Sequence, residues 1–158
     1  MNAKTETNQA VGGGLSVLVV DDSAALRGAL RAVLSSLGIS RIAEAADALQ
    51  AIEILRSGEI TLTITDWKME PMDGLTLIKA IRQGAVGPNA DMPVIMLTAY
   101  SDPRYQAEAA RAGASVFLPK PFTAATLVEA LEAVKTVRSQ PIRPNAETID
   151  GTVTAAQA

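Results

Sequence analysis

Apolar and polar positions alternate between two periods along the chain. Leu15-Ser-Val-Leu-Val-Val20 is a nearly continuous, β-branched run, the pattern of a strand buried on both faces. Leu26, Leu30, Val33, Leu34 and Leu37 follow at helical spacing, and Gly38 stops that helix. A short strand around Arg41–Ala45 precedes a helix over residues 48–57, closed by Gly58. Residues 60–65 read as a third strand, Leu75, Ile78 and Ile81 mark a third helix, and residues 93–98 form a fourth strand. Asp102-Pro103 supplies an N-cap and a first-turn proline for a fourth helix that ends near Gly113. Residues 115–118 are the fifth strand. Thr123 caps a last helix, whose stripe is Leu127, Leu131 and Val134.

Five strands alternating with five helices predict an α/β fold, a doubly wound parallel sheet covered on both faces. Right-handed crossovers leave few topologies open. In such sheets ligands sit beyond the carboxyl ends of the strands, at the switch point of the strand order. Outside this pattern, residues 1–14 are polar and then glycine-rich. Residues 139–158 contain Pro141 and Pro144, then a Thr/Ala/Gln-rich stretch. Neither segment has apolar periodicity, so a flexible N-terminal tail and a disordered C-terminal tail are expected around one domain at 15–138. No output domain is expected in tails of this size, so any effect must be exerted through the body.

Composition narrows the chemistry. The 158 residues hold 14 basic and 17 acidic side chains, a net charge of −3, and neither histidine nor cysteine. Lack of cysteine excludes disulfides, thiolate zinc sites and a cysteine nucleophile. Lack of histidine excludes a Ser-His-Asp triad, histidine metal ligands and an internal histidine phosphoryl carrier. The acidic balance argues against nucleic-acid binding. No apolar run reaches membrane-spanning length and no signal-peptide core opens the chain. A cytoplasmic protein, monomeric and without a membrane or nucleic-acid partner, is the expectation.

The residues at the strand ends carry what chemistry remains. Strand one ends in Asp21-Asp22, strand three in Asp66, strand four in Thr98 and strand five in Lys120-Pro121. Three carboxylates, a hydroxyl and an ammonium thus converge on one edge of the sheet. The carboxylates repel one another unless a cation joins them. Mg²⁺ is the natural choice, since it accepts few carboxylates and keeps several waters. Each residue alone has an ordinary explanation: a helix start, a sheet-end hydroxyl, a solvated charge. Their joint placement does not.

With these residues in view, 15–138 resembles a bacterial response-regulator receiver domain, most closely the stand-alone, chemotaxis CheY-like kind. The resemblance is carried by Val19-Val20-Asp21-Asp22-Ser23, by Asp66-Trp67-Lys68-Met69-Glu70-Pro71-Met72-Asp73-Gly74, by Leu97-Thr98-Ala99, by Gly113-Ala114 and by Lys120-Pro121-Phe122. It implies the flavodoxin-like strand order 2-1-3-4-5, for which that family is a standard example. It also implies that Asp66 is the phosphoryl acceptor. Asp22, Asp66 and the backbone carbonyl of Lys68 would hold Mg²⁺, with Asp21 acting through water. Lys120 would offset phosphoryl charge, Thr98 would bond a phosphate oxygen, and backbone N–H groups of Met69 and Ala99 would assist. Thr98 and Phe117 would form the switch, and the Lys120–Pro121 bond would be cis.

The implied donor is a histidine kinase or histidine phosphotransfer protein, and the implied output is a protein effector bound through a phosphorylation-dependent face. The close relatives usually carry tyrosine at the position of Phe117, which lacks that hydroxyl and weakens any analogy to a flagellar-motor partner. Helix four, with Tyr105 as its one large apolar residue, reads as a weakly anchored, movable element. Lys68 and Tyr100, two residues beyond Asp66 and Thr98, flank the route of water to an acyl phosphate and are expected to slow its hydrolysis. Two rival readings remain open: a phosphoryl sink or relay intermediate without effector, and a non-switching receiver-fold adaptor. An Asp-based phosphatase would need a second aspartate where Lys68 stands. A dinucleotide site would need a glycine loop after strand one, whereas Gly12-Gly-Gly14 precedes it.

Overall fold

A strand whose two faces are both apolar can be stable only in the middle of a layered structure, and that is where β1 lies. In the computed structural model, which describes residues 14–100 and 102–138, the strands are β1 (Ser16–Val20), β2 (Arg41–Ala45), β3 (Leu62–Asp66), β4 (Val94–Thr98) and β5 (Val116–Pro119). They form one parallel sheet in the order β2-β1-β3-β4-β5. The helices are α1 (Ala24–Ser36), α2 (Ala48–Leu55), α3 (Gly74–Arg82), α4 (Pro103–Ala112) and α5 (Ala124–Arg138). The doubly wound α/β expectation and its 2-1-3-4-5 order hold. The two tails expected from composition lie outside the described residues, apart from Gly14.

Alternation along each strand divides the core in two. Leu18, Val20 and Met96 join Leu55, Leu77, Ile78, Ile81 and Ala109 in the layer beneath α2, α3 and α4. Val17, Val19, Leu62, Ile64 and Leu97 face Leu30, Leu34, Leu127, Leu131 and Val134 in the layer beneath α1 and α5. Each fully buried Leu or Ile contributes about 1.5–3 kcal/mol. In β3 the intervening Thr63 and Thr65 are wholly buried. Their hydroxyls stay bonded, Thr63 to the Met92 sulfur at 3.2 Å and Thr65 to its neighbour's carbonyl, Asp66 O, at 2.9 Å.

Side-chain caps start the helices where the sequence puts them. Ser23, Asp47, Asp73 and Asp102 accept hydrogen bonds from N–H groups two or three residues on. Thr123 does the same for Thr126 at 3.1 Å. Strands β1, β4 and β5 differ from the pattern by one residue at an end, and two boundaries differ by two. The third strand spans Leu62–Asp66 rather than 60–65, because the Ile60 carbonyl is engaged by the Asn89 side chain at 2.9 Å. Helix α2 ends at Leu55, short of 57, since Ser57 and Gly58 turn back onto the carbonyls of Ile54 and Leu55.

Candidate functional site at the strand ends

The strand order reverses between β1 and β3, where such sheets place their ligands, and the acidic residues lie at the carboxyl ends of these two strands. The Asp21 amide continues the ladder by donating to Ala45 O at 3.1 Å, so this residue still belongs to the buried sheet. It is 1% exposed. One Asp21 carboxylate oxygen accepts from the Ser23 amide at 2.8 Å. Asp22, one residue further, is exposed. Asp66 ends β3 with only 7% of its surface exposed. One oxygen from each of Asp21, Asp22 and Asp66 can be chosen so that all three lie within 4.8 Å of one another.

Lys120 enters from the far end of β5. Its ammonium stands 3.3 Å from Asp66 Oδ1 and 3.4 Å from Asp21 Oδ2. The Lys120 amide donates to Thr98 O at 2.8 Å, which ties the residue to the end of β4. The Lys120–Pro121 peptide is cis. One ammonium cannot balance three carboxylates. Burial, and then the Asp21 charge, push the Asp66 carboxyl above its usual range, against the pull of Lys120 and of the Trp67 N–H. That Trp67 amide donates to Asp66 Oδ1 at 2.8 Å. The site is therefore oxygen-rich, anionic and short of positive charge, which suits a hard divalent cation.

Thr98 closes β4 and is 2% exposed, its hydroxyl oxygen accepting from the Tyr100 amide at 3.0 Å. Ala99 is exposed, Lys68 is exposed, and the Met69 side chain is buried. Phe117 is half-buried, pairs in register with Met96 and packs against the α2–α4 core layer. Helix α4 is better held than its composition suggests. Tyr105 stacks on Tyr100 with ring centroids 4.8 Å apart, and Trp67 meets it edge-on at 5.5 Å. Ala109 is buried beneath the same helix.

Three features take on a spatial role that the linear pattern did not show. A Cβ on Gly74 would lie 2.0 Å from Asp66 O, so helix α3 can begin against the end of β3 only with glycine there. The Gly74 amide also donates to Trp67 O at 2.7 Å. The Glu70–Pro71 peptide is cis, like Lys120–Pro121. Finally, the Arg27 guanidinium donates to Asp21 O at 2.6 Å, from the second turn of α1. A side chain that caps a carbonyl six positions back leaves no periodic trace.

Comparison with known proteins agrees with this arrangement. Residues 17–132 match the model of the response regulator receiver domain. Chemotaxis protein CheY-3 of Vibrio cholerae is 38% identical over 120 residues, covering 76% of this chain and 91% of that protein. The structure of Vibrio cholerae CheY4 superposes with a TM-score of 0.70 at 31% identity, over 76% of this chain and 98% of that one. A CheX–CheY–BeF3–Mg complex from Borrelia burgdorferi gives a TM-score of 0.69 at 27% identity, over 77% of this chain and 89% of its partner in the alignment. The chain belongs to the response regulator receiver domain family and is of the CheY-like type.

Proposed function

We propose that this protein is a single-domain response regulator that takes a phosphoryl group onto Asp66 from a partner histidine kinase or histidine phosphotransfer protein in the cytoplasm. The observation that carries this reading is the buried, under-neutralised Asp66 carboxylate, with Lys120 at 3.3 Å and two further carboxylates beside it. A carboxylate is a weak nucleophile toward phosphorus, so positioning and charge neutralisation must supply most of the acceleration. The bond from phosphorus to the donor's imidazole nitrogen breaks as the bond to an Asp66 oxygen forms. Lys120 stands where it can offset charge on the transferred oxygens. Asp66 is kept from turning by its bond from the Trp67 amide.

Asp22, Asp66 and the Lys68 carbonyl would hold Mg²⁺, with Asp21 contributing through water. When bound, the ion neutralises charge on the phosphoryl oxygens. The CheX–CheY neighbour, solved with beryllofluoride and Mg²⁺, supports that reading. Thr98 and the N–H groups of Met69 and Ala99 would take phosphate oxygens. For Thr98 to donate, its hydroxyl hydrogen must point away from the Tyr100 amide that it now accepts from. The product carries about 1.5–2 added negative charges. Thr98 and Phe117 then relay the change to a protein-binding face, where Phe117 can report by burial of its ring alone.

Trp67, 6% exposed and next to Asp66, is the reporter. Addition of Mg²⁺, then of acetyl phosphate or beryllofluoride, is expected to change its fluorescence, and Asp66→Asn abolishes the second response. If Mg²⁺ evokes no change and mass spectrometry finds no labile phosphoryl group on Asp66, the proposal fails. Substituting both Lys68 and Tyr100 by alanine should shorten the phosphoryl lifetime severalfold; an unchanged lifetime removes their shielding role.

A further inference from the structure

The Asp21–Asp22 turn is held from outside the site. Arg27 donates through one terminal nitrogen to Asp21 O at 2.6 Å and through Nε to Glu44 Oε1 at 3.0 Å. The other Glu44 oxygen accepts from Arg31 Nε at 2.6 Å, and Arg31 also donates to Ile42 O at 2.9 Å. Glu44 pairs with Val19 in the sheet, and its neighbour Ala45 accepts the Asp21 amide. Both backbone polar groups of Asp21 are thus tied to β2, one directly and one through a guanidinium.

We propose that Arg27, balanced by Glu44, is a positioning residue that fixes the Asp21–Asp22 turn in the shape needed to bind a divalent cation. The inference rests on the reading of those aspartates as metal ligands. Its physical logic lies in where the positive charge is spent. An arginine beside an acidic site would ordinarily pair with the carboxylates and compete with the metal for them. Here the guanidinium grips a main-chain carbonyl, and its charge is answered by a glutamate outside the cluster. The planar fork makes this possible, since one arginine can serve a carbonyl and a carboxylate together. Arg27 is 16% exposed, while Arg31 is 44% exposed, so the first is the structural member of the pair and the second supports Glu44.

Charge and position predict opposite signs, which makes the test decisive. Removing a positive charge near the site should, by relief of Coulomb repulsion alone, tighten Mg²⁺ binding about two- to tenfold. Releasing the turn should weaken it. In Mg²⁺ titrations of Trp67 fluorescence, Arg27→Met is expected to weaken binding about tenfold, the scale on which loss of an outer hydrogen bond to a metal site acts. The loss should persist at high salt, where a charge effect would fade. Arg27→Lys should recover only part of the loss, because an ammonium lacks the fork, and Arg31→Ala should change affinity less than Arg27→Met.

Hydrogen exchange in the metal-free protein supplies the independent reading. The Asp21–Asp22–Ser23 amides should exchange faster in Arg27→Met and in Glu44→Gln. Unchanged exchange in both, or tighter or unaltered Mg²⁺ binding in Arg27→Met, overturns the proposal. Should the unmodified protein fail to respond to Mg²⁺, the metal half of the proposal falls with the functional reading. The exchange data then still decide whether the clamp exists.

Discussion

The two edges of the sheet both bury charge, and they treat it in opposite ways. At the carboxyl edge Asp21 and Asp66 lie buried with one shared ammonium between them. At the amino edge the Arg82 guanidinium, at the end of α3, donates to Gly113 O at 3.0 and 2.8 Å. It also donates to Ala90 O and Met92 O, each at 2.7 Å. Burial lowers the Arg82 pKa, with the nearby Asp91 charge opposing, yet its donors are spent on carbonyls that join three elements. Burial raises the Asp66 pKa too, with Asp21 adding to the effect. The satisfied charge is a rivet. The under-satisfied one is a site, because what it lacks is what a cation or a phosphoryl group with its counterions can provide.

The contrast can be broken from either side. The largest effect should come from Gly74→Ala, whose new methyl would overlap Asp66 O. Forcing that overlap apart should cost about 2–4 kcal/mol and displace the acceptor. Urea denaturation and acetyl-phosphate labelling should both register it, and normal values in both would refute the close approach. Arg82→Ala follows, at about 2–3 kcal/mol, since it strands three part-buried carbonyls. Its melting point should drop while the folded fraction still responds to Mg²⁺. A surface-like change in stability would mean that Arg82 is no rivet.

Asp66→Asn sharpens the comparison most directly. A carboxyl whose folded pKa is raised favours folding below its unfolded value and loses that contribution as pH rises through the folded one. Near neutral pH the metal-free Asn variant should therefore melt higher than the parent, and the gap should narrow on acidification. Glu44 runs the other way: Arg31 and then Arg27 hold its carboxyl low, so its contribution is lost as pH falls. A gap that widens on acidification would contradict the assigned direction for Asp66. The smallest effect belongs to Tyr105→Leu, which removes a ring stack of about 0.5–1.5 kcal/mol and should shift Trp67 emission without altering Mg²⁺ affinity.

Legibility followed the range of the interactions. Strand alternation, helix stripes and caps are written in neighbouring residues, so the order of elements could be read along the chain. The boundary of β3 could not, because it depends on Asn89, about thirty residues away, taking the carbonyls of Gly58 and Ile60. Helix α4 looked loosely held, because its anchor is a ring stack with residues from two other loops. Asp73 and Gly74 could both be seen as motif residues, but the reason for glycine at 74 comes only from the Asp66 backbone lying against it.

By itself, then, the sequence determined that carboxylates, a hydroxyl and a lysine end successive strands. It determined also that no imidazole is available among these 158 residues, so none of them can carry a phosphohistidine. Tertiary structure alone decided how the charges are partnered. Arg27 reaches Glu44 across 17 positions, and Arg82 reaches Gly113 across 31. Lys120 reaches Asp21 across 99. Pairings of that span have no period to reveal them, because the energy that selects them, desolvation set against a hydrogen bond, exists only once the chain has closed around both partners.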